Sequence, residues 1–153
     1  MAKQVKPGTQ DGLALDDFLC FSIYSAGHAF NQFYRPLLDN IGLTYPQYLV
    51  MVSLWSKDDR TVKEIGESLF LESNTLTPML KRLESLGYIA RSRDPDDERQ
   101  VRVRLTKDGR ALRAKAADIP ACIADAVGLS ADQLGKLHVQ LSAIRDRLLA
   151  KEP

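Results

Sequence analysis

The 153-residue sequence predicts a mainly α-helical fold carrying one small β-hairpin. Three observations carry that expectation. Apolar residues recur at helical spacing over residues 13–39 and again near the C-terminus. Two short segments with helix-start signals lie between those stretches. One run, "RQVRVRLT", alternates strictly, with Val101, Val103 and Leu105 on one face and Arg102 and Arg104 on the other.

In the first helix Leu15, Leu19, Ile23, Ala26, Phe30, Phe33 and Leu37 form the stripe. Asp16 and Asp17 suit its start, where carboxylates cap free amides and meet the positive end of the dipole. Asn40-Ile41-Gly42 supplies a stop. A second helix follows Thr44-Tyr45-Pro46, with proline near the first turn, and runs to Trp55. Residues 56–60, "SKDDR", read as a turn. "TVKEIGESL" then opens with Thr61 and Glu64 at capping-box spacing. "SNTLTPMLKRLESLG" opens on Ser73 or Asn74 as cap and stops at Gly87. That start keeps Pro78 near the first turn, where a lost donor costs little. "YIARSRD" and "RQVRVRLT" flank "PDDE" as a two-stranded hairpin with a charged tip. Thr106 caps "TKDGRALRAKAADI", which Pro120 interrupts, and a short segment through Cys122 ends near Gly128. The last helix starts at Ser130 and runs to about Ala150, with Leu134, Leu137, Leu141, Ile144 and Leu148 as its stripe.

Composition narrows the class. With 44% hydrophobic and 27% charged residues the chain has the balance of an ordinary globular protein. No apolar run reaches the length of a membrane span, so no membrane partner is expected. The opening "MAKQVKPGTQDG" lacks the apolar core of a secretory signal and reads as a flexible arm over residues 1–12. Two cysteines and two histidines, His28 and His138, lack metal-site spacing, so neither metal nor cofactor is expected. The expected compartment is the cytoplasm, where thiols stay reduced.

Charge is distributed unevenly. Residues 81–115 hold eleven Lys or Arg against six Asp or Glu, within an otherwise acidic chain. A basic segment of this kind fits a polyanion, and a salt-bridged solvated surface is the plainer reading. Order decides between them. Two short helices, a tight turn and a basic hairpin make a winged helix-turn-helix, flanked here by long N- and C-terminal dimerisation helices. In such a module the second short helix enters the major groove of double-stranded DNA. Its candidate contacts are Ser73, Asn74, Thr75, Thr77 and Pro78, followed by Lys81 and Arg82. The hairpin adds Arg93, Asp97, Arg99 and Arg102, with Arg104 beside them, in a shape suited to the minor groove. The expected organisation is one domain over residues 13–153. Its winged module covers about 45–105 and its dimerisation helices about 13–39 and 107–150. A symmetric homodimer would read a palindromic operator.

The arrangement resembles the MarR family of transcriptional regulators over residues 12–150. The wing "RDPDDERQVRVRLTKDGR" matches that family's hairpin signature, with Asp97 and Arg99 in its D-x-R element. The resemblance implies a cytoplasmic, dimeric, DNA-binding repressor. Within the family, "LCFSIYSAGHAFNQFYRPLLDNIGLTYPQYLVMVSLW" is similar to the two-cysteine sensors of the OhrR type. That likeness implies Cys20 as the peroxide-reactive thiol, with Tyr34 and Tyr45 hydrogen-bonding it from the other protomer and Tyr24 in its pocket. It implies Cys122 as the thiol that captures the sulfenic acid in an intersubunit disulfide. DNA release on contact with an organic hydroperoxide would follow. Packing is the rival reading of each cysteine, since cysteine is among the most often buried residue types. Two other functions stay in play: a repressor released by a non-covalent phenolic ligand, and a thiol peroxidase. A basic hairpin has no use in the latter, so no enzyme is expected.

Overall fold

The computed structural model describes residues 14–151. The arm expected over residues 1–12 lies outside them. The described residues divide after Ala116 into two compact units.

The first unit opens with a 3-10 turn, Leu15–Asp17, before helix α1, Leu19–Asp39. Asp16 and Asp17 therefore belong to the preceding turn and cap nothing. The N-cap of α1 is Phe18, which has no side chain able to accept. Helix α2, Tyr45–Ser56, starts on a full capping box from Thr44 and Gln47, with Pro46 in its first turn. Its residues Val50, Met51 and Leu54 are fully buried.

The expected turn at 56–60 ends in a strand. Arg60–Thr61, β1, pairs antiparallel with β3 through Arg60↔Val103 and Thr61↔Arg102. The sheet thus has three strands, in the order β1-β3-β2, where the sequence predicts two. A two-residue strand leaves no alternation to detect; only its partner reveals it. Helix α3, Val62–Leu69, follows directly and is capped by the Thr61–Glu64 box as expected.

Helix α4, Ser73–Ser85, has Glu72 as N-cap, without a side-chain cap bond, in place of Ser73 or Asn74. Both of those residues lie inside the helix. Pro78 becomes its sixth residue, past the turn whose amides lack helical acceptors. Leu76, Leu80 and Leu83 line its buried face, and Ile65 of α3 is buried with them. Gly66 allows the tight α3–α4 turn, since an added Cβ would lie 2.6 Å from the Leu71 carbonyl oxygen.

Strands β2, Ile89–Arg93, and β3, Val101–Leu105, form the hairpin in the register Arg91↔Val103. Val103 and Leu105 are buried and Arg104 is exposed, as the alternation predicts. Thr106 caps α5, Lys107–Lys115. An added Cβ at Gly109 would collide with the Tyr88 carbonyl oxygen, so only glycine lets α5 start this close to β2.

The second unit holds α6, Ile119–Val127, and α7, Ala131–Leu149. The helix break precedes Pro120: α5 ends at Lys115, and Pro120 sits in the first turn of α6, where proline is tolerated. Gly128 ends α6 in the left-handed region at φ 68°, and Ser130 with Gln133 boxes the start of α7. No residue of α7 is buried. Among the described residues no helix is long and apolar enough to cross a membrane.

Candidate functional site

The basic surface is built on α4 and the hairpin. Burial of Leu76, Leu80 and Leu83 turns the opposite face of α4 outward, leaving Ser73, Asn74, Thr75 and Pro78 exposed and Thr77 half-buried. Thr77 donates its hydroxyl to the Ser73 carbonyl at 2.7 Å, a local bond it can exchange for an outside acceptor. Lys81, Arg82, Arg93 and Arg99 are exposed and have no ion pair with a described residue. Uncommitted cations beside short hydroxyl and amide side chains have the chemistry to neutralise phosphates and reach base edges.

Other candidates have structural employment. Asp97 shapes the tip: its carboxylate accepts from the Arg99 amide at 3.1 Å, and its carbonyl accepts from the Gln100 amide at 2.9 Å. Arg102 is held inside the fold. Its Nε donates to Asp59 at 2.8 Å and one terminal nitrogen to Asp94 at 2.9 Å. The other terminal nitrogen donates to the Asp59 carbonyl at 2.8 Å. Arg104 joins Asp59 at 3.0 Å. The Arg102 guanidinium, followed by Arg104, holds the Asp59 carboxyl below its ordinary range. The Asp96 amide and then Arg102 do the same for Asp94.

A second tie joins the hairpin to α4. Glu84 takes the Arg91 guanidinium at 2.8 and 3.0 Å and also accepts from its backbone amide. Sequence reasoning did not single out Asp58, Asp59, Glu84 or Asp94. Their only signal is four carboxylates near an arginine-rich hairpin, which specifies no pairing.

The thiol region lies on α1. Cys20 is the second residue of the helix, free and exposed. Tyr24, one turn on, shares its face and stacks on His28 with centroids 6.4 Å apart. Around it Leu19 is 61% exposed, and Ile23, Phe30 and Phe33 are exposed as well.

Tyr34 and Tyr45 form a separate cluster with centroids 4.5 Å apart, and Tyr48 packs 6.0 Å from Tyr34. Burial first, and then the neighbouring Tyr45 and Tyr48, push the Tyr34 phenol up to about 12. It therefore holds its proton and can donate at neutral pH. Cys20 and Tyr34 are fourteen residues apart on one helix, roughly 21 Å along its axis. A single chain therefore brings Tyr34 to Tyr45 and Cys20 to Tyr24, but not the two pairs together. Cys122 is also free and exposed, in the first half of α6 within the second unit. Among the described residues no group of His, Cys, Asp or Glu is arranged to hold a metal ion.

Tyr48 and Trp55 complete the aromatic line that sequence reasoning left partial. Their rings pack edge-on at 6.3 Å, and the Trp55 indole donates to the Gly109 carbonyl at 2.9 Å, joining α2 to α5.

Comparison with known proteins agrees with this geometry. Residues 32–115 match the family described as transcriptional regulator SarA/Rot. The chain is 47% identical to the HTH-type transcriptional regulator TtmR of Methylorubrum extorquens (strain PA1), over 94% of this chain and 74% of that protein. It is 43% identical to the organic hydroperoxide resistance transcriptional regulator of Bacillus subtilis (strain 168), over 92% of this chain and 96% of that one. Among solved structures it is similar to reduced AbfR bound to DNA, with a TM-score of 0.77 and 38% identity over 92% of this chain and 98% of that one. It is also similar to the disulfide form of AbfR, with a TM-score of 0.64 over 88% of this chain and 95% of that one. A winged module of this architecture, matched across more than nine-tenths of the chain, establishes that the protein belongs to the SarA/MarR-type family of winged-helix transcriptional regulators.

Proposed function

We propose that the chain acts as a cytoplasmic homodimer that binds a palindromic DNA operator, represses transcription, and releases DNA when an organic hydroperoxide oxidises Cys20. The carrying observation is an exposed thiol in the first turn of α1, on a helix whose apolar face is also exposed. A second copy covering that face would bury the apolar residues and surround the thiol with aromatic and aliphatic walls. The same copy would offer its Tyr34–Tyr45 pair to Cys20, which one chain cannot do. The names of the Bacillus relative and of the AbfR structures point the same way.

The chemistry balances in two steps. The Cys20 thiolate attacks the distal peroxide oxygen and the O–O bond breaks. The thiol becomes sulfenic acid and the hydroperoxide leaves as its alcohol. Cys122 of the other subunit then attacks that sulfur, forming the S–S bond and releasing water. The amides of the first turn and hydroxyl donors are the polar groups available to the reacting sulfur, since no Lys or Arg stands near Cys20 in sequence. Pairing Cys20 with Cys122 removes it from its tyrosines, shifts the helices that carry the winged modules, and takes them out of register with successive major grooves. Nothing in this sequence of events requires turnover, in keeping with regulators rather than enzymes among the relatives.

The test is a gel shift with operator DNA, with and without cumene hydroperoxide, on wild type, Cys20→Ser and Cys122→Ser. Wild type should release DNA and form a covalent dimer on non-reducing gels. Cys20→Ser should stay bound under peroxide, and Cys122→Ser should form sulfenic acid without the covalent dimer. Peroxide release of Cys20→Ser would sink the sensing mechanism, and a covalent dimer persisting in Cys122→Ser would sink the role of that residue.

A further inference from the structure

The hairpin is joined to the helical core through few backbone bonds. β1 supplies two residues of pairing, and the Leu105 amide donates to the Asp58 carboxylate at 2.8 Å. Two guanidinium ties add to these: Arg91 to Glu84 of α4, and Arg102, gripped from two directions. Asp59 approaches from the α2–β1 connection with both a carboxylate and a carbonyl oxygen. Asp94 approaches from the end of β2 across the hairpin. Asp94 is only 7% exposed and also accepts from the Asp96 amide at 2.8 Å, so one carboxylate ties the wing base to the start of its tip. Asp59 adopts a left-handed backbone, φ 56°, which aims its carbonyl and its side chain at the same guanidinium. Arg104 adds a second bond to Asp59.

We infer that Asp59 is a positioning residue for DNA binding: through Arg102 it sets the angle of the wing relative to α4, although its own charge repels DNA. The inference rests on the DNA-binding reading above. It reassigns Arg102 from a phosphate contact to the pivot of a clamp. Three nitrogens of its guanidinium already serve protein oxygens, and its side chain is largely covered. Arg93 and Arg99 stay free to meet the backbone, and the clamp determines where they point.

The two views of this cluster predict opposite signs. If Asp59 were only a surface carboxylate near a polyanion, neutralising it would strengthen DNA binding. If it positions the wing, neutralising it weakens specific binding. Asparagine tolerates the left-handed backbone, so Asp59→Asn changes charge and little else. Arg102→Lys keeps the positive charge but loses the fork that reaches both carboxylates.

The probe is a duplex selected from a random-sequence pool by the wild-type chain, with a scrambled duplex as control. Both variants should bind the selected duplex about tenfold more weakly than wild type. Affinity for the scrambled duplex should not fall, because every Lys or Arg position that attracts a phosphate backbone keeps its charge. A loss of folding alone would lower binding to both duplexes in parallel and would overturn the inference. So would tighter or equal binding of the selected duplex by Asp59→Asn, or unchanged binding of it by Arg102→Lys. Failure of the wild-type chain to select any duplex would overturn the DNA-binding reading and this inference with it.

Discussion

The winged module and the α1 thiol region are built to different degrees of completion by one chain. In the module the polar groups that shape it find partners nearby. Thr44 and Thr61 close capping boxes, Glu84 takes Arg91, and Asp59 with Asp94 takes Arg102. Its core residues, among them Leu54, Ile65, Leu80 and Leu83, reach zero or near-zero exposure. On α1 only Leu38 is buried, and the apolar stripe from Leu19 to Phe33 faces outward beside an exposed thiol. A preformed DNA-reading surface loses less conformational freedom when its target arrives. A sensing site can be left open for a second copy to finish, which makes its chemistry depend on assembly.

Three experiments sharpen that contrast. The largest effect is expected on the incomplete region. Ile23→Glu places a charge on the exposed α1 stripe, where it costs the isolated chain little but must be desolvated on pairing. Sedimentation should show monomers, and affinity for a palindromic duplex should fall about 100-fold or more as the second half-site contact is lost. Helical circular dichroism should be kept. A dimer that persists with full affinity would show that the outward face of α1 is not a seam.

Within the module, Leu83→Ala should cost about 3 kcal/mol by chemical denaturation, through lost burial and the cavity left among tightly packed neighbours. The same truncation at Leu19 of α1 should cost the monomer less than about 0.5 kcal/mol. Equal costs at the two positions would erase the distinction between the two regions.

The smallest effect is a titration. Tyr34, with its phenol pushed up to about 12, favours the folded state through its neutral form. That contribution is complete below the ordinary tyrosine value of about 10 and is lost as pH rises through about 12. An alkaline absorbance titration of the native protein should show a late-ionising phenol that Tyr34→Phe removes. A Tyr34→Phe curve superimposable on wild type after scaling for one ordinary tyrosine would contradict the packed Tyr34–Tyr45 pair.

The candidate residues, though not their partners, were legible in the sequence. The resemblance to OhrR-type sensors singled out Cys20, Tyr24, Tyr34 and Tyr45, and the alternation of valine and arginine marked the wing. What could not be read shares one cause. Arg102 and Arg99 look alike in sequence, as two arginines of a basic hairpin, yet one is clamped and the other free. The difference lies forty-three residues away at Asp59, in a connection that reads only as a turn. Glu72 as the N-cap of α4 escaped for a related reason: Ser73 and Asn74 are better intrinsic caps, but the α3–α4 turn around Gly66 decides where the helix begins.

Local chemistry by itself determined most of the helices, the capping boxes at Thr61 and Ser130, and the alternating strand, because each depends on neighbours within a few residues. Tertiary structure alone decided that β1 exists, that Arg102 serves the fold, and that Tyr34 joins Tyr45 while Cys20 lies a helix-length away. The first two depend on which distant groups come within about 3 Å to satisfy donors that burial would otherwise leave unpaired, and the third on which rings the fold packs together; no local pattern encodes those partners.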